Sequence, residues 1–402
     1  MTHDLTQRRA RITHWFWPIW GLLAVLTGAL WLASHTGTNF LAHSAYDSYT
    51  LQALSWREGR IALSQNYPWL ELAIYNEQYF VSFPPVPAVP MWLLSFVFGG
   101  NTPSALMGLL YLLMGYAALY GLARRRLPGA QAAGLAAFTA LGGSLLDLAV
   151  SGGGMAGGVW YQAQLLAFAL TALAFWGLSG ERPAGWALGL IAIALAVGCR
   201  PLNAAYVPLL LYVLFTKIKR PRIWDRLLAM LPYIAIPALI ALAYAAYNWA
   251  RFGNPLEFGH SYLPEFVRDG VPMLSLSRVF QNIALIFRPI TLDAGRLTFP
   301  IISGFAVYLT NPLLWMAPLR LIRRRLSALD AALAISLLVH IALLLTHRTN
   351  GGWQYGTRYL CDALPAAVWL FARDKRPIGW LGAALMGALV VVNALGVLGF
   401  HG

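Results

Sequence analysis

Pro84-Pro85-Val86-Pro87-Ala88-Val89-Pro90-Met91-Trp92-Leu93-Leu94-Ser95-Phe96-Val97-Phe98 carries no charge, and whether it crosses a membrane decides how everything after it is arranged. It is fifteen residues long and holds four prolines. A helix needs about 20 residues to cross a hydrocarbon core of about 30 Å. Charge resolves the question. If the stretch stays on the surface, the Lys and Arg that follow it divide into sixteen on one side and eight on the other. The sixteen are Arg124 to Arg126, Arg182, those from Lys217 to Arg226, those from Arg320 to Arg325, and Arg373 to Arg376. Letting the stretch cross inverts every later loop and breaks the rule that short cytoplasmic loops hold the positive charge. Residues 84–98 therefore predict an interfacial helix on the outer surface, with the N-terminus in the cytoplasm.

The composition agrees that the solvent is lipid. Hydrophobic residues make up 59% of the 402 and charged ones 11%, a balance foreign to soluble globular chains. The sequence predicts an all-α polytopic membrane protein, one transmembrane domain over 1–402. About eleven spans are expected, at 14–34, 103–123, 130–148, 159–178, 184–199, 203–216, 228–249, 300–320, 329–346, 359–372 and 378–399, with juxtamembrane helices outside. Arg8, Arg9 and Arg11 precede a first segment too long and too Trp-rich for a cleaved signal, so it reads as an anchor. On this layout nineteen basic and five acidic residues face the cytoplasm, and ten of each face outward. The whole net charge of +14 then belongs to the inner leaflet, where it sets topology and implies no nucleic-acid partner. Long outward loops at 35–100 and 251–299, and a shorter one at 347–358, are where function is expected. A bacterial inner (plasma) membrane is the expected location, with the working site periplasmic.

The first outward cluster is Ala45-Tyr46-Asp47-Ser48-Tyr49. A free aspartate is a weak base, so Asp47 serves as a general base only where its pKa is raised or the proton moves in concert with bond formation. Its other reading is a helix cap or a surface charge. The second cluster is Tyr75-Asn76-Glu77-Gln78-Tyr79-Phe80-Val81-Ser82-Phe83, leading into the prolines.

An Asp-bearing loop after the first span, followed by an aromatic stretch, a proline cluster and a surface helix, resembles the GT-C superfamily of membrane glycosyltransferases. The nearest branch is that of protein O-mannosyltransferases and lipid A aminoarabinose transferases. Tyr247-Asn248-Trp249-Ala250-Arg251-Phe252-Gly253-Asn254-Pro255 and Gly351-Gly352-Trp353-Gln354-Tyr355-Gly356-Thr357-Arg358-Tyr359-Leu360 are similar to stretches in bacterial relatives of that branch.

The resemblance implies inverting transfer of a sugar from a polyprenyl-phosphate carrier to an acceptor on the outer face. Asp47 matches the family's first-loop catalytic acid. Asp147 takes the place of a second acidic residue, its plain reading being a span-end carboxylate reaching for water. A departing phosphate needs cations and hydrogen-bond donors more than an acid. Arg358 and Arg200, both at span ends, are the candidate donor-phosphate ligands, and snorkelling is their alternative reading. Tyr46, Glu77, Tyr79, Tyr355 and Tyr359 are the candidate substrate contacts. Aminoarabinose transferases carry a lysine just before the proline pair where this chain has Phe83, which moves the expected phosphate contacts onto the arginines. With no soluble outward domain left over, a lipid-linked glycan or a lipid is the expected acceptor.

His43 and Asp47 are four apart, but two ligands do not make a metal site, so no metal residue is assigned. GT-C enzymes differ in their use of a divalent ion, and that question stays open. Cys199 and Cys361 read as packed thiols and His340 as a packing histidine. The alternative class is a transporter or lipid-carrier flippase. Transporters tend to place ionisable sites near the bilayer midplane, whereas here nearly every charge lies at a span end or in a loop.

Overall fold

The computed structural model describes residues 2–322 and 325–402, with the backbone alone for 2–14. Arg8, Arg9 and Arg11 have side chains outside the described residues, as do Arg323 and Arg324. The chain is helical, with two short hairpins. In order, the elements are α1 (Thr2–Thr36), α2 (Ser48–Arg57), β1 (Leu72–Tyr75), β2 (Gln78–Val81), α3 (Ala88–Phe98), α4 (Ser104–Arg124), α5 (Gly129–Leu141), α6 (Ser144–Val150), α7 (Val159–Ser179), α8 (Pro183–Val197), α9 (Val207–Lys217) and α10 (Ile223–Phe252). There follow α11 (Pro264–Asp269), α12 (Val279–Ile286), β3 (Thr291–Asp293), β4 (Arg296–Thr298), α13 (Val307–Thr310), α14 (Leu313–Leu319), α15 (Ala328–Thr346), α16 (Leu364–Arg373) and α17 (Trp380–His401).

Among the described residues six helices are long and apolar enough to cross a membrane: α1 from Trp15, α4, α7, α10, α15 and α17. The segment at 130–148 is not one straight span. It breaks at Gly142-Gly143 into α5 and α6, bent by 64°, and counts as a seventh if the pair is one crossing. The other four expected spans are shorter than the sequence predicts. Helices α8, α9, α14 and α16 have 15, 11, 7 and 10 residues. Proline and short polar turns interrupt these segments: Pro201 opens a 3-10 turn before α9, and Arg358–Ala363 form another before α16. Among the described residues, then, eleven helices of span length are not found.

Helix α7 is the hub, 83% of its apolar window buried between α4, α8 and α16. Small residues let it approach its neighbours: a Cβ on Gly177 or Gly189 would overlap the backbone or side chains of the facing helix. Helix α10 is the opposite case, with only 6% buried and Leu228, Leu239 and Leu242 presented outward. That suits lipid contact. Helix α3 is eleven residues long, buries Ala88, Met91 and Ser95, and exposes Val89, Leu93, Phe96 and Val97. It has the length and the two-sided character of a surface helix. The bundle has two chemically distinct ends. At the basic end Lys217 pairs with Glu181 at 2.8 Å and Arg320 with Asp374 at 3.0 Å. At the other end Thr36 at the end of α1 donates to the Val150 carbonyl at the end of α6, His401 at the end of α17 stands 3.4 Å from Ser151, and the Val159 N–H at the start of α7 donates to the Tyr46 carbonyl.

Candidate active site

Asp47 is the residue on which α2 begins. Its Oδ1 accepts the backbone N–H of Tyr49 at 3.1 Å and of Thr50 at 3.2 Å, which is helix N-capping. The same oxygen accepts Gln162 Nε2 at 2.8 Å, while Oδ2 accepts the Thr50 hydroxyl at 2.6 Å and has His43 Nδ1 at 3.8 Å. The residue is 1% exposed. Burial raises its pKa above the ordinary aspartate value against the pull of Thr50, His43 and Gln162. Cap and candidate base are thus the same group.

Asp147 lies on α6 and does not reach for water. It is fully buried, its Oδ2 accepting the backbone N–H of Tyr355 at 2.9 Å and its Oδ1 standing 2.7 Å from His401 Nε2. The bend at Gly142-Gly143 makes this reach feasible by turning α6 away from the axis of α5. Ser144, the first residue after the bend, accepts the Thr357 N–H at 3.0 Å and the Asn311 amide at 3.1 Å. The loop at 350–358 is held against α6 in this way.

The two arginines converge on one ring. The guanidinium of Arg200 lies 4.3 Å from the Tyr359 ring centre and that of Arg358 4.9 Å. Arg200 Nε donates to Asp362 Oδ2 at 3.1 Å. Arg358 is 4% exposed, has no carboxylate within 4 Å among the described residues, and leaves its Nε and one Nη without a hydrogen-bond partner. A buried cation is ordinarily paired, and this guanidinium keeps donors on two of its nitrogens unused.

Two cavities open at this end. The larger, about 850 Å³, is walled by Tyr46, Trp69, Glu71, Trp160, Trp353, Ser151 and His401, with the β4 residues Leu297 and Thr298 at one side. The smaller, about 310 Å³, is lined by Phe83, Arg200, Glu257, His260, His347 and Tyr359. Burial lowers His260, and burial together with His260 pulls His347 down to about 3, so Arg200 is the standing cation of that cavity. Where aminoarabinose transferases carry lysine, Phe83 turns its ring edge-on to His260 at 5.0 Å. Arg358 lies between the cavities: Tyr359 lines the second, and Tyr161, 5.8 Å from Arg358, donates to the carbonyl of Trp353 in the wall of the first.

The side chains of Asp47, Asp147 and Arg358 each stand one residue behind a cavity wall rather than in it. Tyr46 and Tyr359 are in the walls; Tyr355 is buried behind, among Phe299, Phe305 and Phe400. Glu77 is not brought to the site. Asn76 and Glu77 both have positive φ, 48° and 60°, and form the two-residue turn between β1 and β2, which leaves Glu77 exposed at the tip. Tyr79 pairs with Ile74 in that hairpin and lines neither cavity. The 247–255 stretch is a dock: Tyr247 accepts Gln52 at 2.7 Å, and Arg251 donates to the Val81 carbonyl at 3.0 Å.

The sequence reading leaves out Gln162, Gln164, Asp362 and His401. Gln162 and Gln164 sit in the first turns of α7 and hold Asp47 and Asp362. Two glutamines and an aspartate inside apolar windows are a signal, because such residues cost free energy unless paired. Around them the buried Tyr49 hydroxyl, Gln162 Oε1, Gln164 Oε1 and the whole Asn203 amide lack a hydrogen-bond partner. A buried polar atom left without a partner costs about 1–3 kcal/mol, so these atoms are the ones a bound polar group or water would satisfy. Among the described residues no three His, Cys, Asp or Glu side chains form a metal-ligand group.

No protein-family profile matches the chain, and no curated protein sequence matches it. Solved structures do. The chain superposes on ArnT from Cupriavidus metallidurans bound to undecaprenyl phosphate with a TM-score of 0.54 and 16% identity, over 93% of this chain and 63% of that one. It superposes on the Archaeoglobus fulgidus oligosaccharyltransferase in the apo form with a TM-score of 0.51 and 15% identity, over 95% and 55%. A third match, at 0.52 and 14% over 96% and 56%, is the archaeal oligosaccharyltransferase AglB with an inhibitory peptide and a dolichol-phosphate. The chain therefore spans under two thirds of the length of each. The superpositions give this chain a GT-C-like fold.

Proposed function

We propose that the chain is an inverting glycosyltransferase that moves a sugar from a polyprenyl-phosphate carrier to an acceptor on the outer face of a bacterial inner membrane. The observation that carries this reading is Arg358, buried, without a carboxylate, and sharing the Tyr359 ring with Arg200. In the reaction the acceptor oxygen attacks the anomeric carbon, the bond from that carbon to the phosphate oxygen breaks, and the acceptor proton passes to a base. The donor is a phosphodiester with one negative charge; the departing polyprenyl phosphate carries up to two. An extra cation at this point binds the transition state better than the ground state. Arg200 and Arg358 supply it. Asp47 takes the proton, its raised pKa suiting that task; catalytic contacts that are indirect in a free enzyme tighten once substrate is bound.

The larger cavity suits the acceptor. Its wall of Trp69, Trp160, Trp353 and Tyr46 offers faces for a sugar ring, and His401, tied to Asp147, offers a hydrogen-bonding edge. A lipid-linked glycan or a lipid is the acceptor this reading favours. The eleven-crossing layout with a cytoplasmic N-terminus belongs to the same proposal. The ends of α8 and α9 support it: Glu181 and Lys217 meet at the basic end, while the turn between these helices holds Arg200 beside Asp362 at the other.

The test supplies membranes containing the chain with polyprenyl-phosphate sugars labelled in the sugar. Label is expected in an organic-soluble product of higher mass. Carrier appearing on the far leaflet of sealed vesicles with the sugar still attached would instead make the chain a flippase. A second measurement separates the roles of the two acids. His401→Gln is expected to raise the acceptor KM about tenfold and leave kcat within a few-fold, as loss of a positioning contact does. A kcat loss equal to that of an Asp47 variant would make His401 the base.

A further inference from the structure

The basic end of the bundle holds a chamber that the outward chemistry does not use. It has a volume of about 700 Å³ and lies where the end of α4, the last turn of α7 and the start of α8 meet. Arg125, Arg126 and Arg182 line it, and none of the three has a carboxylate within 4 Å among the described residues. The only acidic residue in its wall, Glu181, is already held by Lys217 at 2.8 Å. Apart from Ser179 its remaining side chains are apolar, among them Trp176, Ala184 and Leu188, the last 40% exposed.

Plain positive-inside charge would be served by arginines extended into water. Arg125, like Arg126 and Arg182, is exposed, but it also packs against the protein. Its guanidinium lies 5.6 Å from the Trp176 ring centre and so close over Gly180 that a Cβ there would overlap it. The Gly180 carbonyl is fixed from the other side by Trp186 Nε1 at 2.7 Å. A smaller chamber of about 150 Å³ adjoins, sharing Arg125, Arg126, Ser179 and Glu181 and reaching Lys217. An excess of fixed cations beside an apolar wall at a membrane surface matches an anion joined to acyl chains.

We propose that this chamber binds the phosphodiester headgroup of an anionic phospholipid of the leaflet at the basic end, with the acyl chains along Trp176 and Leu188. The site is separate from the sugar-transfer reading and stands or falls without it. To test it, the full chain is purified in a zwitterionic detergent and given phosphatidylglycerol or phosphatidylcholine. Lipid retention is read by native mass spectrometry and melting temperature in parallel. Phosphatidylglycerol is expected to be retained and to raise the melting temperature, with phosphatidylcholine doing neither. The Arg125→Gln/Arg126→Gln/Arg182→Gln variant is expected to lose retention by about tenfold or more. The single variant Arg182→Gln, in the turn before α8, gives a milder loss should the triple variant fail to fold. Equal retention by Arg182→Gln and the parent, or equal retention of the two lipids, overturns the proposal. So does a melting shift reproduced by inorganic phosphate, or by undecaprenyl phosphate in preference to phosphatidylglycerol.

Discussion

Asp47→Asn is expected to lower the rate of sugar transfer by about 10²–10⁴-fold, the range over which a positioned base acts, while the protein melts at the same temperature or higher. The two halves of that result come from the same geometry. The carboxamide that replaces the carboxylate keeps an oxygen for the N–H groups of Tyr49 and Thr50 and for Gln162, and its NH₂ donates to Thr50 Oγ1, which turns its own proton toward Thr102. The cap therefore survives. What is removed is a buried negative charge. Because burial raises the folded-state pKa of Asp47, the folded chain binds that proton more tightly than the unfolded one, and its contribution to stability falls as pH rises through the folded value. Asparagine does not ionise and escapes this cost. The same shift predicts that the acid limb of the parent's pH–rate profile lies above 3.8, the ordinary aspartate value. Transfer at the parental rate by a folded Asp47→Asn protein would leave the residue a cap and nothing else.

Arg358→Met is the second large effect. Transfer should fall by about 10²–10³-fold, as when one donor to a developing anion is removed, with thermal stability held or raised. A buried guanidinium lacking a carboxylate is a liability to the fold, and an apolar side chain of comparable length removes it. Arg358→Lys should recover only part of the rate, because an ammonium replaces the planar fork by a point charge. Assays of initial rate and unfolding on the same preparations separate the cases. A clear drop in stability with an unchanged rate would make Arg358 a packing residue.

Much of this is legible in the chain, but unevenly. The apolar windows that form α1, α4, α7, α10, α15 and α17 are long enough that lipid thickness alone identifies them. The proline-rich stretch at 84–98 builds the surface helix α3 because its prolines fall before or within its first turn, where a missing N–H costs little. The remaining segments read as full spans because hydropathy records apolar character and not hydrogen bonding. Pro201, Pro312 and Gly142-Gly143 shorten or bend them. For the site, residue type at a span end singles out Arg200 and Arg358, and Asp47 stands out as a carboxylate in the first outward loop that matches the first-loop acid of the family the chain resembles. Neither signal points to their partners, because Gln162 is 115 residues from Asp47, Asp362 is 162 from Arg200 and His401 is 254 from Asp147. Only the folded bundle supplies those distances. Glu77 stands out through its neighbours, although Asn-Glu between two alternating runs has the form of a hairpin turn.

The bend after α5 has a consequence for how damage to this protein would be read. Gly143 approaches the Thr310 carbonyl so closely that any Cβ would overlap it. A side chain there forces α6 off its seat, and Asp147 and its histidine go with it. The address of an acid on one helix is thus written in the backbone clearance between two others. On the proposed reading, a lesion at a glycine with no chemistry of its own would present as a loss of transfer.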